Sequence, residues 1–324
     1  MMRCARFVIV PLLFIATVSP VTWAQIYPAR PIRLIVAFPP GGGADIVARI
    51  IGQKVGESVK QQIVIDNRPG AGGIIATEIT AKAAPDGYTL FLHDITTHTI
   101  SASLYKKLPY DSVKDFAAVI LVASAPIVLV ANPSLPANSV TELIALARAR
   151  PGQINFASSG SGGTTHLAGE LLKFMANINL THVPYKGGPL AMTDVISGQM
   201  QLLFFSLPGA LPQIEAGRVK AIAVTSTKRS TAAPEIPTVA ESGLAGFEVG
   251  VVIGLLAPAA TPKQIVGKLN AEILQALRSS DVTDAFTRQG LDPLGSTPGE
   301  SESYLKSEIA KWTKVIRAAD LRAD

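Results

Sequence analysis

The chain has 324 residues, of which 48% are hydrophobic and 16% charged, with a formal net charge of +5. That length suits two domains, and that apolar share builds a sizeable core and excludes an intrinsically disordered chain. The basic excess is small and no basic run carries interleaved aromatics, so nothing points to nucleic acid.

Residues 1–24 read as a targeting segment. Arg3 and Arg6 form a basic n-region, Phe7 to Val18 an apolar h-region, and Thr22-Trp23-Ala24 sets small residues where a signal peptidase reads. Export with cleavage after Ala24 is the expectation. Pro11 and Pro20 break the stretch, which is too short for a good transmembrane helix. The single cysteine, Cys4, precedes the h-region, so the mature chain is expected to lack disulfides, thiolate catalysis and cysteine-held metal. Taking Arg3 and Arg6 from the 29 basic residues leaves 27 against 24 acidic, a net charge of +3 that suits anionic ligands.

Ile32 to Phe38 is a short apolar run, the length of a buried strand. Pro39-Pro40-Gly41-Gly42-Gly43 stops it. From Asp45 the apolar residues Ile46, Val47, Ile50, Ile51 and Val55 follow the spacing of one helix face. Strand, glycine turn and helix suit an anion, because the first helical amides lack internal partners and lie at the positive end of the dipole. Asp45, in the first turn, serves either the dipole or the water of a cleft.

Gln62 to Asp66 reads as a second strand, Ile74 to Ala83 as helix, and Tyr88 to His93 as a third strand. Thr96 to Ser103 reads as a polar loop. Val119 to Val122 and Ile127 to Ala131 read as two strands split by Ser124-Ala125-Pro126. Ser139 to Arg150 is a helix with a capping box, Ser139 and Glu142.

Gln153 to Ser158 then repeats the first construction. A strand leads into Ser159-Gly160-Ser161-Gly162-Gly163-Thr164-Thr165 and a helix through His166, Leu167, Leu171 and Leu172. Each turn alone is a common βα connection. Two long ones, the second rich in hydroxyls, favour a cleft that holds a small anion between them.

Asn179 to Pro184 is the next strand, reaching Tyr185. Helix follows at Pro189 to Ser197, strand at Leu202 to Phe205, helix at Leu211 to Ala216 and strand at Ala221 to Thr225. Thr231 to Gly246 is a Pro- and Gly-punctuated connector. Val249 to Leu256 reads as strand, with helices at Pro262 to Leu277 and Glu300 to Ala319. Alternating strand and helix imply an α/β fold. The expected division is a first domain of residues 25–124 plus 247–324, and a second, residues 125–246, inserted into it.

No Walker loop, dinucleotide fingerprint or nucleophile elbow is present, so no cofactor is expected. The four histidines, His93, His98, His166 and His182, show no zinc spacing. A hydrolase using Ser159 or Ser161 with His166 stays open, against a structural or ligand-neighbouring His166.

The order YPARPIRLIVAFPPGGGADIVARIIGQKV, DNRPGAGG, KAAPDGYTL, SLYKKLPYD, VKDFAAV, NFASSGSGGTTHLAGE, VPYKGG, IPTVAESG and GLLAPAATP resembles the Bug receptors, the extracytoplasmic solute-binding proteins of the tripartite tricarboxylate transporter system. The resemblance spans Tyr27 to beyond Pro262. It implies a type II periplasmic-binding-protein fold, two α/β domains with a hinge and a closing cleft, and no chemistry. It implies a periplasmic monomer that binds a small carboxylate, di- or tricarboxylic or aromatic, and passes it to a membrane permease; a sensor for a signalling partner is the alternative.

Carried onto this chain, the ligand residues are Phe38, Pro40, Gly41, Gly42, Gly43 and Asp45 in the first turn. In the second they are Ser158, Ser159, Gly160, Ser161, Gly162, Thr164, Thr165 and His166. Thr96, Thr97 and His98 match a further loop, and Tyr185 follows a strand. Phe205-Ser206 stands where the family usually has Asp-Asn, Val252-Ile253 where an aromatic pair is usual, and Ile74 where Asn is usual. Phe205 in place of an acid argues against a zwitterionic amino acid and for a plain or aromatic carboxylate.

Overall fold

The computed structural model describes residues 27–318; the expected signal segment lies outside the described residues, as does the tail after Ala318. The elements in order are β1 (Ile32–Val36), α1 (Gly43–Val59), β2 (Ile63–Asn67), α2 (Ile74–Ala81), β3 (Thr89–Asp94), α3 (Ile95–Leu104) and β4 (Phe116–Ala131). Then come α4 (Val140–Ala149), β5 (Asn155–Ser158), α5 (Thr164–Ala176), β6 (Thr181–Pro184), α6 (Gly188–Ile196), β7 (Leu202–Ser206), α7 (Leu207–Glu215) and β8 (Lys220–Val224). The chain returns through β9 (Gly250–Pro258), α8 (Lys263–Leu277), α9 (Ser280–Arg288), β10 (Asp292–Pro293) and α10 (Pro298–Ala318).

The strand order is β2-β1-β3-β9-β4-β7-β5-β6, with β8 and β10 also on β4. β1 lies parallel between β2 and β3, and β5 parallel between β6 and β7. The inner strands β1, β5 and β7 are short buried runs because helices cover both faces; Ile32, Ile35, Phe156 and Leu202 are fully buried. The largest apolar cluster runs unbroken from Val47 and Ile51 of α1, through Ile127 and Leu129 of β4, to Phe156 and Phe204.

Two expectations change. The pair of strands split at Ser124-Ala125-Pro126 is one strand, β4. Its first part, Phe116 to Pro126, pairs with β9, and its second, Ile127 to Ala131, pairs with β7 and β8. Pro126 sits where the ladder with β9 ends, at Gly250, so its missing N–H interrupts little. The polar loop at Thr96 to Ser103 is helix α3. Its hydroxyls turn back on the backbone, Thr99 Oγ1 donating to Thr96 O at 2.9 Å, and this lets an unamphipathic sequence be buried. Helix α9, also unanticipated, buries Val282 and Phe286. At α4 the Ser139 hydroxyl accepts from Glu142 N–H, but the Glu142 carboxylate reaches Asn138 N–H, one residue before the cap.

Candidate ligand-binding cleft

The carboxyl ends of β1 and β5 point toward each other, where α/β proteins place ligands. Between them lies a cavity of about 50 Å³, room for a few water-sized groups. It is walled by Phe38, Gly42, Gly43 and Ala44 of the first turn, and by Ser159, Gly160, Gly163, Thr164 and Thr165 of the second. Gly72, Asp94, Thr97, Gly188, Pro189, Phe205, Ser206 and Val251 complete it.

Helix N-termini dominate this wall. The caps of α1, α3, α5 and α7 (Gly42, Asp94, Gly163 and Ser206) and the first residue of α6, Gly188, all line the cavity. Five partial positive charges therefore converge on one small space. Among the described residues the lining holds no Lys, Arg or His, and its one charged side chain is Asp94. An anion here would be met by backbone amides and hydroxyls rather than by a side-chain cation.

Asp45 lies behind the first turn. It accepts from Gly41 N–H at 3.0 Å, from Asn67 at 3.0 Å and from both arms of the Arg49 guanidinium. Burial alone would raise its carboxyl, but these donors hold it below the ordinary carboxylate value. Gly41, with φ +82, needs the left-handed region that glycine tolerates, and Asp45 fixes it there. Pro40 and Gly41 face outward, and neither lines the cavity.

The second turn is pinned in the same way. Thr165 Oγ1 accepts from Ser159 N–H at 2.9 Å, and His166 Nδ1 accepts from Gly162 N–H at 3.1 Å. An imidazole accepting at Nδ1 is neutral there, and burial keeps His166 below its ordinary value. His166 stacks on His182 with ring centroids 3.9 Å apart, and His182 Nε2 meets Ser158 Oγ at 2.7 Å. His166 is thus committed to the loop and has no serine to deprotonate. Ser158 is fully buried beneath the turn, and Ser161, Gly162 and His166 also fall outside the lining.

The two halves meet across the cleft. Asp94 caps α3, accepting from Thr97 N–H at 3.2 Å and from Thr97 Oγ1 at 2.7 Å. The same Oδ2 accepts from Thr164 Oγ1 of α5 at 2.7 Å, and Thr164 N–H donates to Thr97 Oγ1 at 3.1 Å. Burial raises the Asp94 carboxyl, and the hydroxyl donors act against that rise. Tyr105 Oη reaches Ser161 O at 3.2 Å, and a β-carbon on Gly72 would stand 2.7 Å from the same carbonyl.

Of the residues expected at the ligand, Phe38, Gly42, Gly43, Thr97, Ser159, Gly160, Thr164, Thr165 and Phe205 line the cavity. Thr96 Oγ1 instead accepts from Val252 N–H of β9 at 3.2 Å. His98 is buried away from the cleft, with Nε2 against Ser112 O at 2.9 Å and its ring against Phe116. Tyr185 turns to Asp194 at 2.6 Å. Asp94 escaped the sequence reading, and Ser206 entered it only as a departure from the family's usual Asn. An Asp three residues before Thr97 is the pattern of a helix cap, and it was the available signal. Asp94 also returns an acid to the cleft from which the argument at Phe205 had removed one.

A sequence model of the family described as tripartite tricarboxylate transporter family receptor matches residues 47–321. Protein BugT of Bordetella pertussis is 38% identical over 320 residues, 98% of each chain. Among solved structures, the periplasmic binding protein BugD superposes with a TM-score of 0.88 at 33% identity, covering 92% of this chain and 100% of its own. An R. palustris protein solved with adipate does so with a TM-score of 0.88 at 36% identity, covering 91% and 99%.

Proposed function

The chain belongs to the family of tripartite tricarboxylate transporter receptors, solute-binding proteins and not enzymes, and from that premise we propose that it captures a small carboxylate in the cleft between its two domains. The observation that carries this reading is the convergence of five helix N-termini on a cavity without a side-chain cation. The carboxylate lies against the first-turn amides of α1 and the α5 amides that follow Thr164, helped by the hydroxyls of Ser159 and Thr165. Such charge-assisted hydrogen bonds are strong in a closed, water-poor space. The adipate held by a relative of the same fold supports the class.

The receptor works in the periplasm after loss of its first 24 residues and hands its ligand to a membrane permease. Its second domain is the inserted segment, residues 125–246, and closure is a hinge motion selected by ligand contacts to both domains. The chain acts as a monomer.

Thermal unfolding against mono-, di- and tricarboxylates, aromatic acids and acidic amino acids tests the reading. A ligand at about a hundred times its Kd adds about 2.7 kcal/mol. A melting temperature that no carboxylate raises would refute it.

A further inference from the structure

Ser206 Oγ is buried, lines the cleft and has no hydrogen-bond partner among the described residues. Its residue caps α7, yet the hydroxyl makes no capping bond. It lies so near the first turn that a β-carbon on Gly43 would stand 2.8 Å from it. A buried hydroxyl left without a partner is costly, and cavity-lining ones find theirs in a ligand.

The same cavity presents Asp94, 5% exposed. Its Oδ2 is filled by two hydroxyls, while Oδ1 takes only the longer bond from Thr97 N–H at 3.2 Å. All three of its partners donate to it, so Asp94 stands as an acceptor, and each of its oxygens has room for two donors. What faces Asp94 must therefore bring a donor.

Three ligand groups can be weighed there. A second ionised carboxylate is repelled in a space of low dielectric. An ammonium suits Asp94 but sits at the positive ends of five helices. A neutral hydroxyl donates to Asp94, accepts from Ser206 and opposes no dipole.

We propose that the cleft selects hydroxylated carboxylates, the ligand hydroxyl bridging Asp94 and Ser206 while its carboxylate lies on the helix amides. This rests on the carboxylate reading above and narrows it. Asp94 and Ser206 are then specificity-determining residues.

Calorimetric titration of the purified chain with two matched triads tests it: malate, succinate and aspartate, and lactate, propanoate and alanine. Within each triad the hydroxylated member is expected to bind about tenfold or more tightly than the others, since the rivals leave buried polar groups unpaired or opposed. Asp94→Asn supplies an amide donor, and is expected to bring succinate to within about threefold of malate. Ser206→Ala leaves the Asp94 hydrogen bonds intact and is expected to narrow the same gap. Equal affinities within a triad, or the amino acid binding tightest, overturns the proposal. An unchanged malate-to-succinate ratio in Ser206→Ala also overturns it, even if Asp94→Asn fails to fold. If adipate or benzoate binds while both triads fail, this inference falls and the carboxylate reading stands. If no carboxylate binds, both fall.

Discussion

The Thr164 hydroxyl donates to Asp94 Oδ2 at 2.7 Å, joining the first turn of α5 to the cap of α3 across the cleft. The bond is made between protein groups alone, and it ties the two turns directly to each other. A hydrogen bond to a charged group contributes about 1.5–3 kcal/mol. Thr164→Val removes the donor at nearly constant volume and is expected to shift the free receptor toward the open form by about 2 kcal/mol. Small-angle scattering of the unliganded chain would show a larger radius of gyration. An unchanged radius would mean that the clasp does not hold the domains.

Gly43→Ala separates stability from binding. A methyl there meets Ser206 Oγ at 2.8 Å, which can rotate aside, and Ser206 Cβ at 3.1 Å, which gives only by a shift of a few tenths of an ångström. Ala also favours the helix by up to about 1 kcal/mol. The variant is expected to melt within a few degrees of the parent, yet to lose most ligand-induced stabilisation because the methyl enters the cavity. A parent-like shift with ligand would place the carboxylate elsewhere.

Thr165 and Ser161 look alike in sequence but face differently. Thr165 lines the cavity and receives Ser159 N–H, whereas Ser161 is outside the lining and offers its carbonyl to Tyr105. Thr165→Ala is expected to weaken ligand binding about tenfold, the loss of one charge-assisted contact, and Ser161→Ala to leave it nearly unchanged. Equal effects from the two would contradict the orientation of the turn.

Burial lowers His98 to about 4 and His182 to about 3, and pushes His93 and His166 below the ordinary imidazole value. The unfolded chain, with imidazoles near 6.5, therefore binds more protons than the folded one from about pH 6.5 down to about 3. Stability is complete above that window and is lost as pH falls through it. His98, fully enclosed, accounts for on the order of 3 kcal/mol. Asp94, whose carboxyl is raised, works in the opposite sense and offsets part of the loss at the acid end. The urea midpoint is expected to drop from about pH 7 to about pH 5. A flat midpoint would show that the histidines are solvated.

Much of this was legible locally. Pro and Gly clusters marked both turns, and the 3.6-residue period marked the helices behind them, because those signals are set within one segment. Helix α3 was hidden, since its hydroxyls satisfy the backbone and leave no apolar stripe to read. The role of Asp94 was hidden for another reason: its partner Thr164 is 70 residues away, and only the fold brings them together. Which atoms of a glycine turn face inward was likewise not local. Ser159 and Ser161 differ by two positions, and the fold alone chooses between them.

Strand β4 belongs to both sheets, bonded to β9 over its first part and to β7 and β8 over its second. Opening the cleft therefore cannot be the free swing of two slack linkers. It must twist a peptide whose amides are engaged on either side, and a twisted ladder pushes back. The chain is in effect a torsion bar with a jaw at each end. Any parting of the jaws is taken up in that strand as twist.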